Sequence, residues 1–479
     1  MQPIKIFHRF FRTGATHFKK QLYEKKDRHC LITCKNSKLN HYLDTRYSNV
    51  EPVPLASKGW NHPKSKGDYF MINPIEDVDE HKRPNIPFSE CNIMPELVKT
   101  LEAEGIKYAT KFQAEAMPEL FQGNHVLIGA ETGCGKTICY LLPLLQTIST
   151  MKDSTEALNS PRVLILVPNR ELAYQVGEMA KILSKPLDLK VKILTGGRTK
   201  KYMMNPEFEK IDVMVATPGA IGKLSTVGIY KLQNVQHTVL DEADTLTDDS
   251  FDERVSGILR KVSQSRIILV SATLPKYLPD SLKPIEPNLV EVISPEIHRP
   301  LLHVSQKFLR IPRSGKVSHL LQIAKANKDP LLIFTNRNDT CNWVAMFLRE
   351  NGEMCSNING DMNYAIRIQQ WSDFVEGRTR ILSATDVGSR GLDTVQIRHV
   401  VNYEFPLYAA DYLHRIGRVG RIGSPRNCKV TNLLCGGQEI ELVQQIELAL
   451  RRGQALTNVD GNITNVIQRK FFRKNRDVV

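Results

Sequence analysis

Long apolar runs are what this sequence lacks first. Nowhere do its 479 residues approach about 18 uninterrupted apolar positions, so no membrane-spanning helix is expected. Paired cysteines are missing as well: nine are scattered from Cys30 to Cys435 with no CxxC among them. An odd, unpaired set argues against a disulfide framework and a zinc ribbon, and points to a reducing compartment. Cys30 and Cys34 could share a helical face as metal ligands, but no second pair lies in range. No self-similar period of solenoid length is present. Acidic residues are the third shortage: 51 Asp and Glu face 65 Lys and Arg, a formal net charge of +14. Such a balance points to a polyanionic partner. In the first 23 residues, MQPIKIFHRFFRTGATHFKKQLY, five Lys or Arg stand with no Asp or Glu. Ile4, Phe7 and Phe11 can line one face of a short helix there. That is the composition of a mitochondrial targeting segment, although serine is absent; the alternative is a basic arm that touches RNA.

Glycine, by contrast, is concentrated in one loop. AETGCGKT (130–137) follows the strand-like run Val126, Leu127, Ile128 and precedes a helix-like apolar pattern. The spacing fits a phosphate loop running through Ala130, Glu131, Thr132, Gly133, Cys134 and Gly135, with alanine in the first glycine position. Gly133 and Gly135 let backbone N–H groups converge on phosphate oxygens, and the helix start adds its positive end. Lys136 would reach the β- and γ-phosphates, and Thr137 would place a hydroxyl on Mg²⁺. The companion stretch is TVLDEAD (238–244). Asp241 and Glu242 fall just past a strand, at the sheet end where α/β proteins bind ligands. A carboxylate there can hold Mg²⁺, and its neighbour can accept a proton from the attacking water.

Between these motifs the texture alternates. Residues 24 to about 85 read as polar and loosely structured, with Pro52, Pro54, Gly59, Pro63 and Gly67 in quick succession. From Phe88 onward short apolar runs recur at 126, 163, 213, 238 and 267, separated by helix-length segments. PIEPNLVEVISPEIHRP (284–300) reads as a connector, after which runs resume at 331, 380, 399 and 430. The pattern predicts two α/β lobes, each a parallel sheet covered by helices. The end, QRKFFRKNR (468–476), reads either as a solvated tail or as an RNA contact.

Several further motifs occur in order: PNREL (168–172), Gly196-Gly197, TPG (217–219), Ser271-Ala272-Thr273, ATDVGSRGLD (384–393) and YLHRIGRVGR (412–421). With the DEAD letters at Asp241 to Asp244, the chain resembles the DEAD-box RNA helicases of superfamily 2 over roughly Phe88 to Leu450. The run AETGCGKTICYLLPLLQ, with Glu131 where most members carry Gln, is most similar to a mitochondrial branch associated with assembly of the large mitochondrial ribosomal subunit. The resemblance implies two tandem RecA-like domains with flexible basic extensions. The implied organisation is a targeting segment (1–25), a polar extension (26–87), an ATP-binding domain (88–295), a linker (296–310), a second domain (311–455) and a basic tail (456–479).

It also implies roles. Phe88 would stack on adenine and Gln113 would read its edge. Ser271 and Thr273 would hydrogen-bond to the DEAD segment, with Asp244 and His414 in the same coupling group. Gly391 and Asp393 would sense the nucleotide, and Arg418 and Arg421 would act as arginine fingers, an effect of about 10³ to 10⁵ in rate. RNA, single-stranded or a short duplex, would be held without sequence preference by Arg170, Gly197, Thr217, Gly219, Arg367 and Thr385 through phosphates and 2′-hydroxyls. The implied activity is ATP hydrolysis with Mg²⁺, coupled to RNA unwinding or ribonucleoprotein remodelling, with ribosomal RNA and assembly intermediates as partners. An ATP-locked RNA clamp with little unwinding is the alternative, and a nucleolar or cytoplasmic site is the alternative to the mitochondrial matrix.

Six positions depart from the family pattern besides Glu131: Asn169, Ala220, Tyr364, Val419, Ala109 and Cys134. Asn169 and Ala220 thin the phosphate contacts, so weak RNA affinity is expected of the core, with the basic arms compensating. Cys134 beside Lys136 is either an oxidant-sensitive thiol or a small residue that fits.

Overall fold

The computed structural model describes residues 29–459 apart from 49, 76–83, 152–156, 198, 275–277, 390–393, 426 and 458. The expected targeting segment, nearly all of the basic tail, Gly391 and Asp393 lie outside the described residues.

Seven parallel strands build the first lobe, in the order Leu289–Ile293, His125–Gly129, Arg266–Ser271, His237–Asp241, Val163–Leu166, Val213–Ala216 and Val191–Leu194. Its central strands are buried at every position. They read as continuous apolar runs because helices cover both faces. Alternation is still present, but between two cores: Ile128, Val163, Ile165, Val239 and Val270 enter one, and Leu127, Leu164, Leu166, Leu240 and Leu269 the other. The strand ends then set the chemistry. Gly129 leads into the phosphate loop, Asp241 and Ser271 close their own strands, and Thr217 and the Pro168–Arg170 turn follow theirs.

In the second lobe a nine-stranded sheet runs Cys355–Ile358, Ile381–Thr385, Leu331–Thr335, His399–Asn402, Lys429–Leu434, Ser305–Arg310, Tyr69–Ile72, Cys30–Cys34 and His41–Tyr42. The first six strands are parallel, and the last three are antiparallel.

Those last three strands correct the expectation of a loosely structured stretch before Phe88. Tyr69–Ile72 pairs with Ser305–Arg310 through Phe70 opposite Phe308, and their rings stack at 4.6 Å. Trp60 and Phe70 are buried in the second lobe's core. The prolines and glycines that suggested a loose chain form the turns between short strands. The connector expectation is also corrected. Leu289–Ile293 within it is an edge strand of the first lobe, and Ser305–Arg310, inside the expected linker, is an interior strand of the second lobe's sheet with Gln306, Phe308 and Arg310 buried.

Three buried charges lock the extension in place. Glu447, on helix Gly437–Arg452, accepts hydrogen bonds from the backbone N–H groups of Ala56 (2.7 Å) and Ser57 (2.9 Å) and from the Ser57 hydroxyl (2.6 Å). Arg451, one turn on, pairs with Glu447 at 2.7 Å, both side chains fully buried, and donates to the Leu39 carbonyl at 2.8 Å. Arg310 donates to the Trp60 carbonyl at 2.9 Å. Breaking a buried pair by removing one partner costs about 3–5 kcal/mol because the other charge is stranded. Glu447→Ala is therefore expected to destabilise the second lobe by about that amount. Hydrogen exchange should show lost protection of the Ser305–Arg310 amides while the first-lobe strands stay protected.

Candidate active site and nucleic-acid interface

The phosphate loop needs its glycines twice over. Gly133 and Gly135 have φ of +83° and +79°, the left-handed region. A Cβ on Gly133 would lie 2.6 Å from Arg421 of the second lobe, and one on Gly135 2.4 Å from Gln113. Lys136 opens helix Lys136–Thr150. Its ammonium donates to the carbonyls of Ala130 (2.7 Å) and Glu131 (2.9 Å), inside its own loop. Gln113 ties this loop to the preceding helix: Nε2 donates to the Gly135 carbonyl at 3.0 Å, and Oε1 accepts from the Thr110 N–H at 2.8 Å.

Across the loop, Asp241 accepts from the Tyr140 hydroxyl at 2.8 Å and from the Glu242 N–H at 2.9 Å. Burial pushes the Asp241 carboxyl up to about 6, against the Tyr140 hydrogen bond, which favours the anion. Glu242 sits at φ +53°, a strained position for a side-chain residue of the kind that gathers at functional sites. Its Oε2 is buried without a hydrogen-bond partner. Two hard carboxylates and the Thr137 hydroxyl in one cleft suit a magnesium ion.

The second lobe closes this cleft, which encloses about 660 Å³ and takes Arg418, Arg421 and His414 into its lining alongside Lys136, Thr137, Asp241, Glu242 and Asp244. His414 Nε2 stands 3.2 Å from Asp244. The Thr273 hydroxyl donates to Asp244, while the Ser271 hydroxyl donates to the Thr273 carbonyl. Of the two expected couplers, Thr273 reaches the DEAD segment and Ser271 braces Thr273. Cys134 is buried in the first-lobe core, which removes the exposure an oxidant-sensitive thiol needs.

Phe88 lies elsewhere than expected. It is 1% exposed within the first-lobe core. The aromatic that lines the cleft beside Gln113 is Tyr108, 48% exposed. Tyr108 pairs with Pro87 across a two-strand ribbon, and Phe88, the residue after Pro87, opens the short helical turn Phe88–Cys91 and anchors it in the core. Tyr108 was passed over because it stands outside the family's aromatic position. Tyr140 was missed because its helix reads as apolar throughout. His298 was missed because the stretch around it reads as a connector: at φ +62°, it accepts the Leu274 N–H beyond the SAT triplet at 3.0 Å.

A second cleft, about 1010 Å³, opens on the other side of the first sheet's strand ends. Arg170, Gly197, Thr217, Gly219 and Arg367 all line it, joined by Lys223, Arg254 and Lys261. Those three cations were hidden among ordinary helix-surface charges. Thr385 ends its strand buried, its hydroxyl without a hydrogen-bond partner. Asn169 caps helix Arg170–Ser184 by accepting the Leu172 N–H at 2.9 Å.

The family model for DEAD/DEAH box helicases matches residues 110–281, and that for the helicase conserved C-terminal domain matches residues 315–423. Mouse "Probable ATP-dependent RNA helicase DDX28" is 34% identical over 92% of this chain and 87% of its own length. The chain belongs to the DEAD-box family of ATP-dependent RNA helicases. The human protein of the same name is 34% identical over 90% of this chain and 86% of its own. Among solved structures, S. cerevisiae Dbp5 bound to RNA and ADP BeF3 matches at TM-score 0.65 and 26% identity, covering 77% of this chain and 94% of that one. As in other DEAD-box helicases, ATP is the nucleotide this phosphate-loop cleft serves.

Two outcomes test the geometry. Tyr108→Ala is expected to raise the KM for ATP by up to about tenfold, the scale of one lost aromatic stack, with Tm unchanged. Phe88→Ala is expected to lose about 3–5 kcal/mol of first-lobe stability instead. The second outcome concerns pH. Because the Asp241 pKa is raised, the carboxylate is lost as pH falls through about 6, and kcat/KM for ATP should fall over the same window. Tyr140→Phe removes a hydrogen bond that favours the anion, so its acid limb should move to higher pH.

Proposed function

We propose that this helicase hydrolyses ATP in a site completed only when its lobes close, and that the cycle grips and releases RNA. The observation that carries this reading is that Arg418 and Arg421 line the same cleft as Lys136 and Glu242 of the other lobe. Lys136 leaves its own loop carbonyls to meet the β- and γ-phosphates of the substrate. Gln113 reads the adenine edge, and Tyr108 covers the ring. Asp241 and Thr137 hold Mg²⁺, which when bound neutralises charge on the phosphates. Glu242 positions the attacking water and takes its proton. Arg418 and Arg421 offset charge on the transferring phosphoryl group from across the cleft. Asp244, shared between Thr273 and His414, lets loss of the phosphate be felt by both lobes.

RNA lies along the basic cleft, where cations and helix starts meet its phosphates. The presequence-like start and the branch resemblance support the mitochondrion as the site of action. They support ribosomal RNA of the large subunit as the substrate. The test is steady-state ATPase activity of the full chain, since the strands within residues 30–72 belong to the second lobe's sheet. Single-stranded RNA is expected to stimulate turnover and matched DNA is not. Glu242→Gln should lower kcat by about 10² to 10⁴. ATP-dependent RNA binding without stimulation would instead support the clamp.

A further inference from the structure

Two arginines of the basic cleft, one on each lobe, are held by a side chain of the opposite lobe. Arg367, on helix Tyr364–Val375 of the second lobe, pairs with Glu171 of the first at 2.6 Å. Arg170, at the start of helix Arg170–Ser184 of the first lobe, has its guanidinium carbon 4.5 Å from the ring centroid of Tyr364 in the second. The same guanidinium also lies close to the Gly196-Gly197 turn. A Cβ on Gly197 would lie 3.0 Å from Arg170 Nη1, and one on Gly196 3.2 Å from Nη2. The group therefore neighbours both a first-lobe glycine turn and a second-lobe aromatic ring. Tyr174, one turn along the helix from Arg170, lies beside Tyr364.

We propose that Tyr364 is a positioning residue that makes the Arg170 grip on RNA conditional on lobe closure. The proposal rests on the reading that RNA phosphates occupy the basic cleft. An aromatic face suits the task better than a carboxylate. It holds the planar cation by its quadrupole while leaving charge and edge N–H donors available to a phosphate. A carboxylate partner would consume both. With the lobes apart Tyr364 is withdrawn, and Arg170 regains the rotamer freedom that a phosphate contact must then overcome. Binding linkage makes the effect reciprocal: RNA that selects an ordered Arg170 favours closure, which brings Arg418 and Arg421 to the nucleotide. Among the residues that depart from the family pattern, Tyr364 thus has a task in this chain. It orders the one arginine that neighbours the Asn169 departure.

The experiment measures RNA affinity in two nucleotide states with the full chain and a fluorescent single-stranded oligouridylate. Wild type, Tyr364→Ala, Tyr364→Phe and Arg170→Lys are compared without nucleotide and with a non-hydrolysable ATP analogue. The expected result is that Tyr364→Ala raises Kd about three- to tenfold with the analogue, the scale of a desolvated cation–π contact, and leaves the nucleotide-free Kd unchanged. Tyr364→Phe should stay close to wild type because it keeps the ring face. Tyr364→Ala added to Arg170→Lys should cost little more than Arg170→Lys alone. An equal loss for Tyr364→Ala in both nucleotide states, no loss in either, or full additivity with Arg170→Lys overturns the proposal. A wild-type chain that binds RNA equally well with and without the analogue overturns the underlying reading of the cleft, and is told apart because it fails before any variant is compared.

Discussion

Gly417 of the second lobe packs so tightly against the phosphate loop that a Cβ on it would lie 1.4 Å from the Thr132 hydroxyl. The contact admits hydrogen on one side and a small loop on the other, and it fixes how the lobes meet. From Gly417 the chain carries Arg418 into the cleft and lays Arg421 against Gly133, where a side chain would collide with it. The Ile422 N–H donates to the Gly133 carbonyl at 3.3 Å. One turn earlier His414 faces Asp244. His414, Arg418 and Arg421 are thus all placed in the ATP cleft around one close approach of second-lobe backbone to the Thr132 side chain. The charges it delivers remain solvated until closure and act in a drier, lower-dielectric cleft afterwards.

Buried charge serves a different purpose at the far edge of the second lobe. Arg310, Glu447 and Arg451 are nearly or fully inaccessible, and each has at least one backbone group of the extension among its partners. Such groups cost several kcal/mol to bury unless fully hydrogen-bonded, so they discriminate sharply between a docked extension and a displaced one. Docking also solves an edge problem. Without it Ser305–Arg310 would end the sheet with a row of open backbone groups. With it, the outermost strand is the two-residue His41–Tyr42, too short to template further pairing.

The family departures acquire physical reasons once the neighbours are known. Asn169 is a helix cap, a task asparagine performs as well as threonine or better. Ala220 is 1% exposed within the first-lobe core, where a long cation would displace apolar contacts; Lys223, Arg254 and Lys261 bring charge to the same cleft from neighbouring helices. Cys134 packs as a small apolar group. Legibility was high where a residue's task depends on its immediate sequence neighbours, as at Gly133, Lys136 and Asp241. It was poor where the task depends on exposure or on a distant partner. Phe88 directly follows one strand of a short ribbon and Tyr108 opens the other, and the composition around them does not reveal which of the two faces the cleft.

Read alone, the sequence determined five of the first lobe's strands in their chain order, the phosphate loop, the acidic strand end and the family. Each of these rests on local periodicity or on backbone conformations that glycine permits and other residues resist. Tertiary structure decided three things that local pattern cannot encode. It recruited the strands Cys30–Cys34, His41–Tyr42 and Tyr69–Ile72 into the second lobe's sheet, with the segment between them held by a buried partner nearly 400 positions away. It chose Tyr108 over Phe88 for the cleft by burying one and exposing the other. And it exchanged partners between the lobes, setting Arg170 on Tyr364 and Arg367 on Glu171. These are contacts between surfaces, and they exist only after each lobe has folded and the two have met.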